Sequence, residues 1–459
     1  MSSKPPVEAL ETQVFQHLSA YPPAPHYWLA YSGGLDSQVL LHCIASQRER
    51  LGGAALTAVH INHQLQPAAP AWVEQCRLEA ERRQVAFRAI QVDARPQPGE
   101  SPEAAARNAR YRALQQVLAP DDVVLTGQHQ TDQAETLLLQ LLRGAGPAGL
   151  ASMPVRKPFG CGWLLRPLLD CRRAELLAYG KAQGLHWTED DSNNDERFDR
   201  NFLRHQLLPV LRQRWPAAEK TLARSAQLAG EASELLTELA QQDLAVLTAG
   251  AADSLCLQQL MTLSPSRQRN VLRYWLQRLG LPLPSQAQLQ QLSKQMLEAR
   301  QDAQPSIVWP GCEVRRFRGR LYARTGTPFD SSQRIHWPVP SGFPQECPEA
   351  LYVPGIGRLQ WVEDSRGGLC KSYLHNLTIR FRRGGERFQP FGRQHGQRLK
   401  KLLQDAAVPP WERDRLPLIF SDNQLIWVPG LGPEASCCVS PGQNGMILRW
   451  QKNTDSVSL

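Results

Sequence analysis

The chain is 459 residues long, enough for two or three domains, and carries a formal charge of +9 with a pI near 9.1. That balance favours an anionic partner, nucleic acid first. Its ten cysteines lack any Cys-x-x-Cys spacing, which argues against zinc ribbons and thioredoxin-like pairs and suits a reducing cytoplasm; neither a signal peptide nor a bilayer-spanning apolar run is expected.

In chain order, residues 28–32 read as an apolar strand and an apolar helix starts at Ser37. Between them lies Ser32-Gly33-Gly34-Leu35-Asp36-Ser37. Two glycines allow close backbone approach, and successive N–H groups at a helix start surround an anion. Ser32 and Ser37 add hydroxyl donors. The Gly-Lys-Ser/Thr ending of a Walker A loop is missing. Asp36 stands there instead and would repel phosphate unless a cation bridges the two, for which Mg²⁺ is the natural choice. A strand at 55–61, a helix at 71–83 and a strand at 86–92 follow. The next helix has Ser101 at its N-cap, Pro102 at its first position and Glu103 in its first turn. A buried strand at 122–126 and an apolar helix at 131–143 complete the alternation, which implies a parallel sheet with helices on both faces. Ligands then sit beyond the carboxyl ends of the strands, where 32–37, 60–63 and 127–132 all fall.

Asp132 and Glu135 lie three apart at a helix start and share a face, with Leu137–Leu142 expected to bury the opposite one. Such acids either cap the helix or, beside a bound nucleotide, hold Mg²⁺ or a cationic substrate. Arg107 and Arg110 either form a solvated face or reach a phosphate. His60 and His63 lack a clear third ligand and read as hydrogen-bonded structure or nucleotide positioning, not a metal site. The polar stretch Asp190–Arg204 leads into a helix near Arg200, and Arg200, Asn201 and Arg204 could line an anion path. Residues 217–304 have helical spacing, 305–370 read as a β-rich linking region, and a compact segment follows. Residues 378–416 hold ten Lys/Arg against four Asp/Glu, +6 of the chain's +9, with Phe381, Phe388, Phe391 and Trp411 interleaved. The pattern reads as an RNA-contacting surface or as a small core with a basic face.

Taken together these segments resemble the tRNA(Ile)-lysidine synthetase family of long bacterial type, within the PP-loop ATP pyrophosphatases. The resemblance runs through Ser-Gly-Gly-Leu-Asp-Ser, Val-His-Ile-Asn-His, Ala-Ala-Arg-Asn-Ala-Arg-Tyr and Gln-Thr-Asp-Gln-Ala-Glu-Thr. It continues through Arg166-Pro-Leu-Leu, Asp191-Ser-Asn-Asn-Asp, Arg200-Asn-Phe-Leu-Arg204 and Arg382-Arg-Gly-Gly-Glu-Arg-Phe to Lys400-Lys-Leu-Leu-Gln-Asp. It implies an α/β fold: a Rossmann-like catalytic domain at 1–216, a helical substrate-binding domain at 217–304, the β-rich link at 305–370 and a mixed α/β, basic tRNA-binding domain at 371–459. The implied chemistry is ATP-dependent adenylylation of C2 of the wobble cytidine in the CAU-anticodon isoleucine tRNA, then attack by free L-lysine to form lysidine. ATP would sit on Ser32, Gly33, Gly34, Leu35, Asp36 and Ser37, with Mg²⁺ at Asp36. Asp132 and Glu135 would bind or deprotonate the lysine amine, and Arg107 and Arg204 would hold phosphates or the activated base. Arg382, Arg383, Arg387, Lys400 and Lys401 would contact RNA. A homodimer is compatible with this reading. Thr131 stands before Asp132 where the family often carries a second acid. The rivals are a tRNA thiolase, an amidotransferase-type ligase and a non-catalytic RNA-binding protein; the sequence offers the first two neither a cysteine pair for a sulfur relay nor a glutaminase segment.

Overall fold

The computed structural model describes residues 6–63, 69–96, 101–188, 195–248, 254–298, 305–325, 329–339, 349–440 and 442–452. The chain forms two compact units, Met1–Leu236 and Thr237–Leu459.

In the first unit, α1 (Pro6–Ser19) precedes β1 (His26–Ala30), α2 (Leu35–Ser46), β2 (Ala55–Asn62), α3 (Ala69–Arg82), β3 (Ala86–Gln91), α4 (Pro102–Gln116), β4 (Val123–Leu125) and α5 (Gln130–Leu142). After these come α6 (Pro147–Leu150), β5 (Arg156–Phe159), β6 (Gly162–Leu165), α7 (Arg173–Ala182), α8 (Asp199–Phe202) and α9 (Leu208–Arg214). Helix α10 (Ala218–Leu247) runs on into the second unit. The six-stranded sheet has the order β3-β2-β1-β4-β6-β5, parallel except for the antiparallel edge strand β5. Alternation along β1 sends Leu29 to one face, against Val39, Leu40 and Leu56, and Trp28 to the other, against Leu114, Val124 and Leu164. Both faces are therefore packed, as the near-continuous apolar strands require. Ser101 caps α4 by accepting the Ala104 N–H at 3.2 Å. The apolar run of α5 is buried only in part: Leu137 is buried, but Leu141 and Leu142 are exposed. Burial is concentrated in the first turns instead, where every residue from Gln130 to Glu135 is buried.

In the second unit, the helices Leu257–Thr262, Pro265–Arg278 and Gln286–Glu298 share one core with a four-stranded sheet of Ser254–Cys256, Arg320–Arg324, Cys312–Phe317 and Ser306–Trp309. Trp275, Leu276, Leu289, Val314 and Leu321 meet there. Strand Arg334–Trp337 pairs with Leu377–Arg380, and Gly357–Asp364 pairs over its whole length with Gly445–Lys452. The residues expected to link two domains are thus divided between two cores, since their edges find partners on both sides. Among the described residues no helix is long and apolar enough to cross a membrane.

Candidate active site

The loop after β1 is shaped to leave amide groups open. Gly33 adopts φ +82°, an angle that disfavours any side chain, and a Cβ there would lie 2.8 Å from Cys76 Sγ and have to displace it. Gly34 caps α2 without any side-chain hydrogen bond, leaving the helix N-terminus free for an external anion. Ser32 Oγ and Ser37 Oγ are 3.2 Å apart, and Ser37 Oγ donates to the Gly34 carbonyl at 3.0 Å. Behind the loop, the Thr188 N–H donates to the Gly33 carbonyl at 3.0 Å.

The loop after β4 comes up against it. A Cβ on Gly127 would sit 3.1 Å from the Asp36 carbonyl carbon and 3.2 Å from the Ser37 nitrogen. Glycine at 127 is therefore what lets two backbone segments touch, and the contact places Asp36 beside the start of α5. His129 bridges them. Its Nε2 lies 3.6 Å from an oxygen of Asp36 and 3.6 Å from one of Asp132, while its Nδ1 accepts the Thr131 N–H at 3.2 Å. Asp132 in turn accepts the His129 backbone N–H at 2.9 Å. Cross-bonds between the Gln133 side chain and the Met153 backbone, both 3.0 Å, and from the Gln130 N–H to the Cys171 carbonyl at 2.9 Å, fix this helix start.

Asp132 and Glu135 do share a face, and two arginines cover it. Arg200 donates from Nε to Glu135 at 2.7 Å and from Nη2 to Asp132 at 2.9 Å. Arg204 donates from Nε to Glu135 at 2.6 Å and from Nη2 to Asp132 at 3.1 Å and to Glu135 at 3.0 Å. The Glu135 carboxylate is fully buried. Arg200 lies in the first turn of α8, and Arg204 lies in a π-helical turn, Leu203–Leu207, just before Pro209. Proline lacks an N–H and crowds the preceding turn, so a widened turn is the local solution.

Electrostatics separate the two aspartates. Burial raises the Asp36 pKa above its ordinary value, with His129, Arg173 and Arg204 opposing and Asp132 reinforcing. For Asp132 burial also pushes up, but His129, Arg200, Arg204 and the His129 N–H together outweigh it and hold the carboxyl below the usual range. Asp36 Oδ1 is buried without a hydrogen-bond partner. That orphaned oxygen at the mouth of an anion loop suits a cation shared with phosphate oxygens. Among the described residues no group of three or more His, Cys, Asp or Glu is spaced as a metal cage, and Mg²⁺ bound through one carboxylate plus phosphates needs none.

The structure thus joins Ser32, Gly33, Gly34, Leu35, Asp36, Ser37, Asp132, Glu135 and Arg204 in one site. Arg107 stands apart: it is exposed on α4, its guanidinium carbon 5.2 Å from the Tyr111 ring centroid, with no hydrogen bond to any described residue. His60 donates Nδ1–H to the Tyr31 carbonyl at 2.9 Å, tying β2 to the base of the loop. Burial, with Arg110 and His60 adding to it, lowers the His63 pKa to about 4. His129 was the residue that motif reading passed over; its signal was the cap position three residues before Asp132. Residues 189–194 of the polar stretch lie outside the described residues.

In the second unit, Lys400 and Lys401 are exposed on the helix Leu399–Asp405. Arg383 and Arg387 are exposed and donate to the carbonyls of Ser332 and Gly396, both at 3.0 Å. Arg382 is largely buried, 3.5 Å from Asp414. Of the interleaved aromatics, Phe381 and Phe388 are core, Trp411 packs edge-on against Phe317 and Tyr322, and Phe391 is exposed.

Three family models match this chain. A PP-loop domain model matches residues 7–211, a TilS substrate binding domain model 255–322 and a TilS substrate C-terminal domain model 377–450. The chain is 43% identical to the tRNA(Ile)-lysidine synthase of Methylococcus capsulatus, covering 93% of this chain and 97% of that one. It is 43% identical to that of Pseudomonas putida, over 95% and 98%, and 39% identical to that of Coxiella burnetii, over 94% and 93%. The chain belongs to the tRNA(Ile)-lysidine synthase family.

Proposed function

We propose that this protein uses ATP and Mg²⁺ to join free L-lysine to C2 of the wobble cytidine in a CAU-anticodon isoleucine tRNA. The cytidine O2 attacks the α-phosphorus of ATP and pyrophosphate leaves; the lysine ε-amine then adds at C2 and AMP leaves. The base must come out of its stack to be reached. The observation that carries the reading is the backbone contact at Gly127, which puts an anion loop and a carboxylate pair in one site.

Within this proposal the open amides of α2, with Ser32 and Ser37, stabilise charge building on the leaving pyrophosphate. Asp36 would hold Mg²⁺, which would supply charge neutralisation at the phosphates. Asp132, kept ionised by its surroundings, serves as an anchor for the lysine ammonium and not as its base. Arg200 and Arg204, released from the carboxylates as lysine binds, turn to phosphate or to the adenylylated base. The exposed Lys400 and Lys401, with Arg383 and Arg387, contact the tRNA body; Arg382 supports that surface from beneath. The working division is a catalytic part at 1–216, a helical part at 217–304 whose core is closed by strands from the 305–370 stretch, and a basic part from 371. Free thiols at every described cysteine support a cytoplasmic setting.

The test is direct. Full-length protein with ATP, Mg²⁺, labelled lysine and the CAU-anticodon isoleucine tRNA should put label into the tRNA and release AMP and pyrophosphate. No lysine-modified nucleotide under those conditions would sink the reading.

A further inference from the structure

A second cationic cluster lies on the α4 face of the first unit, and the chemistry above does not use it. Arg107 and Lys157 approach the Tyr111 ring, 5.2 and 5.5 Å from its centroid, and Lys157 also lies 6.0 Å from that of Phe159. Phe159 meets Tyr111 edge to face at 5.5 Å and so fixes the ring. Beneath them Arg166 is only 2% exposed. Its Nη1 donates to the Pro154 carbonyl at 2.6 Å, but its Nε has no hydrogen-bond partner. The Tyr111 hydroxyl is buried beside Arg166, which donates towards its oxygen, while its own O–H meets no acceptor among the described residues.

Among the described side chains no carboxylate pairs with Arg107, Lys157 or Arg166. Beyond burial, the groups acting on Lys157 and Arg166 are each other, Arg107 and the Tyr111 phenol, and both cations are lowered from their ordinary pKa values, by burial first. Burial pushes the Tyr111 phenol up, yet Arg107, Arg166 and Lys157 together outweigh it, and the phenol lies below its ordinary value. Gathering like charges around buried, unpaired donors is costly unless an anion joins them. The location narrows which anion. Lys157 lies on β5 opposite Leu164, Arg166 directly follows β6, and β6 adjoins β4, whose end carries Gly127. Two strand spacings separate β6 from β1, roughly 10 Å at the usual interstrand distance. A phosphate held on Ser32–Ser37 is therefore not the one that Arg166 meets.

We propose that Arg107, Tyr111, Lys157 and Arg166 form a second phosphate-binding subsite, beside the pyrophosphate loop and distinct from it. Tyr111 O–H and Arg166 Nε–H donate to the phosphate oxygens, while Lys157 and Arg107 close over them. The inference rests on the tRNA-modifying reading, which supplies two carriers of phosphate, RNA and ATP. The offset from the loop favours a phosphodiester of the RNA next to the reacting base.

The test measures equilibrium binding of full-length Tyr111→Phe and Lys157→Gln proteins to two probes: the CAU-anticodon tRNA without ATP across a salt series, and ATP without tRNA. Lys157→Gln should weaken tRNA binding about 3–10-fold and flatten the slope of log affinity against log salt by about one. Tyr111→Phe should weaken it about 2–5-fold with the slope unchanged, since no charge is lost. Loss of ATP affinity with tRNA binding intact would assign the same subsite to the nucleotide. Both variants should melt no lower than the parent, because each removes an unmet donor or a repelling charge. Unchanged binding of both probes in both variants overturns the subsite, as does a lowered melting temperature with binding intact, which would mark the cluster as structural. Neither probe involves lysine. A protein that never incorporates lysine but shows these binding losses fails as a lysidine synthase and keeps the subsite; one that incorporates lysine with binding unchanged keeps its function and loses the subsite.

Discussion

Gly127→Ala is the sharpest probe of the candidate active site. The added methyl would lie 3.1 Å from the Asp36 carbonyl carbon, 3.2 Å from the Ser37 nitrogen and 3.3 Å from the Asp36 oxygen. Carbon contacts are ordinarily about 3.5–4.0 Å, so the two loops must part by roughly half an ångström. Every clashing atom is backbone, so no side-chain rotation relieves it. Overpacking of this kind costs about 1–3 kcal/mol. A displacement of about 1 Å in a reacting pair costs on the order of 100-fold, so half of that predicts a loss of about tenfold in turnover. Lysine incorporation and thermal melting should be measured together, with Gly146→Ala as control, since a Cβ at 146 meets nothing within 4 Å. If Gly127→Ala keeps full turnover and melts with the parent, the two loops do not depend on this contact.

Glu135→Gln leaves the Arg200 and Arg204 guanidiniums over a single carboxylate in a largely buried lattice. Breaking such a pair costs about 3–5 kcal/mol, and a denaturant titration showing less than about 1 kcal/mol would contradict the lattice. Charge reversal at both Lys400 and Lys401 should weaken tRNA binding and flatten its salt slope by about two; an unchanged slope removes them from the RNA surface. Glu313, buried and paired with Arg315 and Arg324, is pushed up by burial but pulled further down by the two arginines, so its folded pKa is depressed. A depressed carboxylate stabilises the fold above its unfolded pKa of about 4.3 and loses that contribution as pH falls through the folded value. Glu313→Gln should therefore lose less stability than the parent on acidification below about pH 5, and parallel melting-against-pH curves would refute the assignment.

Much of this was legible where the signal is local. The strand–loop–helix around Ser32–Ser37 and the Ser101 cap depend on neighbours a few residues away. Element edges shifted by one or two residues, as the start of α2 at Leu35 shows. Contacts between distant segments were not legible. The Arg200 bonds to Glu135 and Asp132 span 65 and 68 positions, and nothing in a motif says that two acids awaiting a cation already hold two. Leu141 and Leu142 looked buried because apolar runs usually are, whereas the tertiary fold buries the polar first turns of that helix instead. Likewise the strands of 305–370 looked like a connection because their pairing partners lie far along the chain.

The widened turn at Leu203–Leu207 makes chain length itself a constrained quantity. Leu208 is fully buried and pins α9, while Arg200 and Arg204 reach for Glu135 from the preceding turns. Deleting one residue between Arg204 and Leu208 would restore a regular helix and swing both arginines through about 100° relative to that pin. This short stretch should thus reject insertions and deletions even where it accepts substitutions: its register is a ruler, and the spare residue is one of its marks.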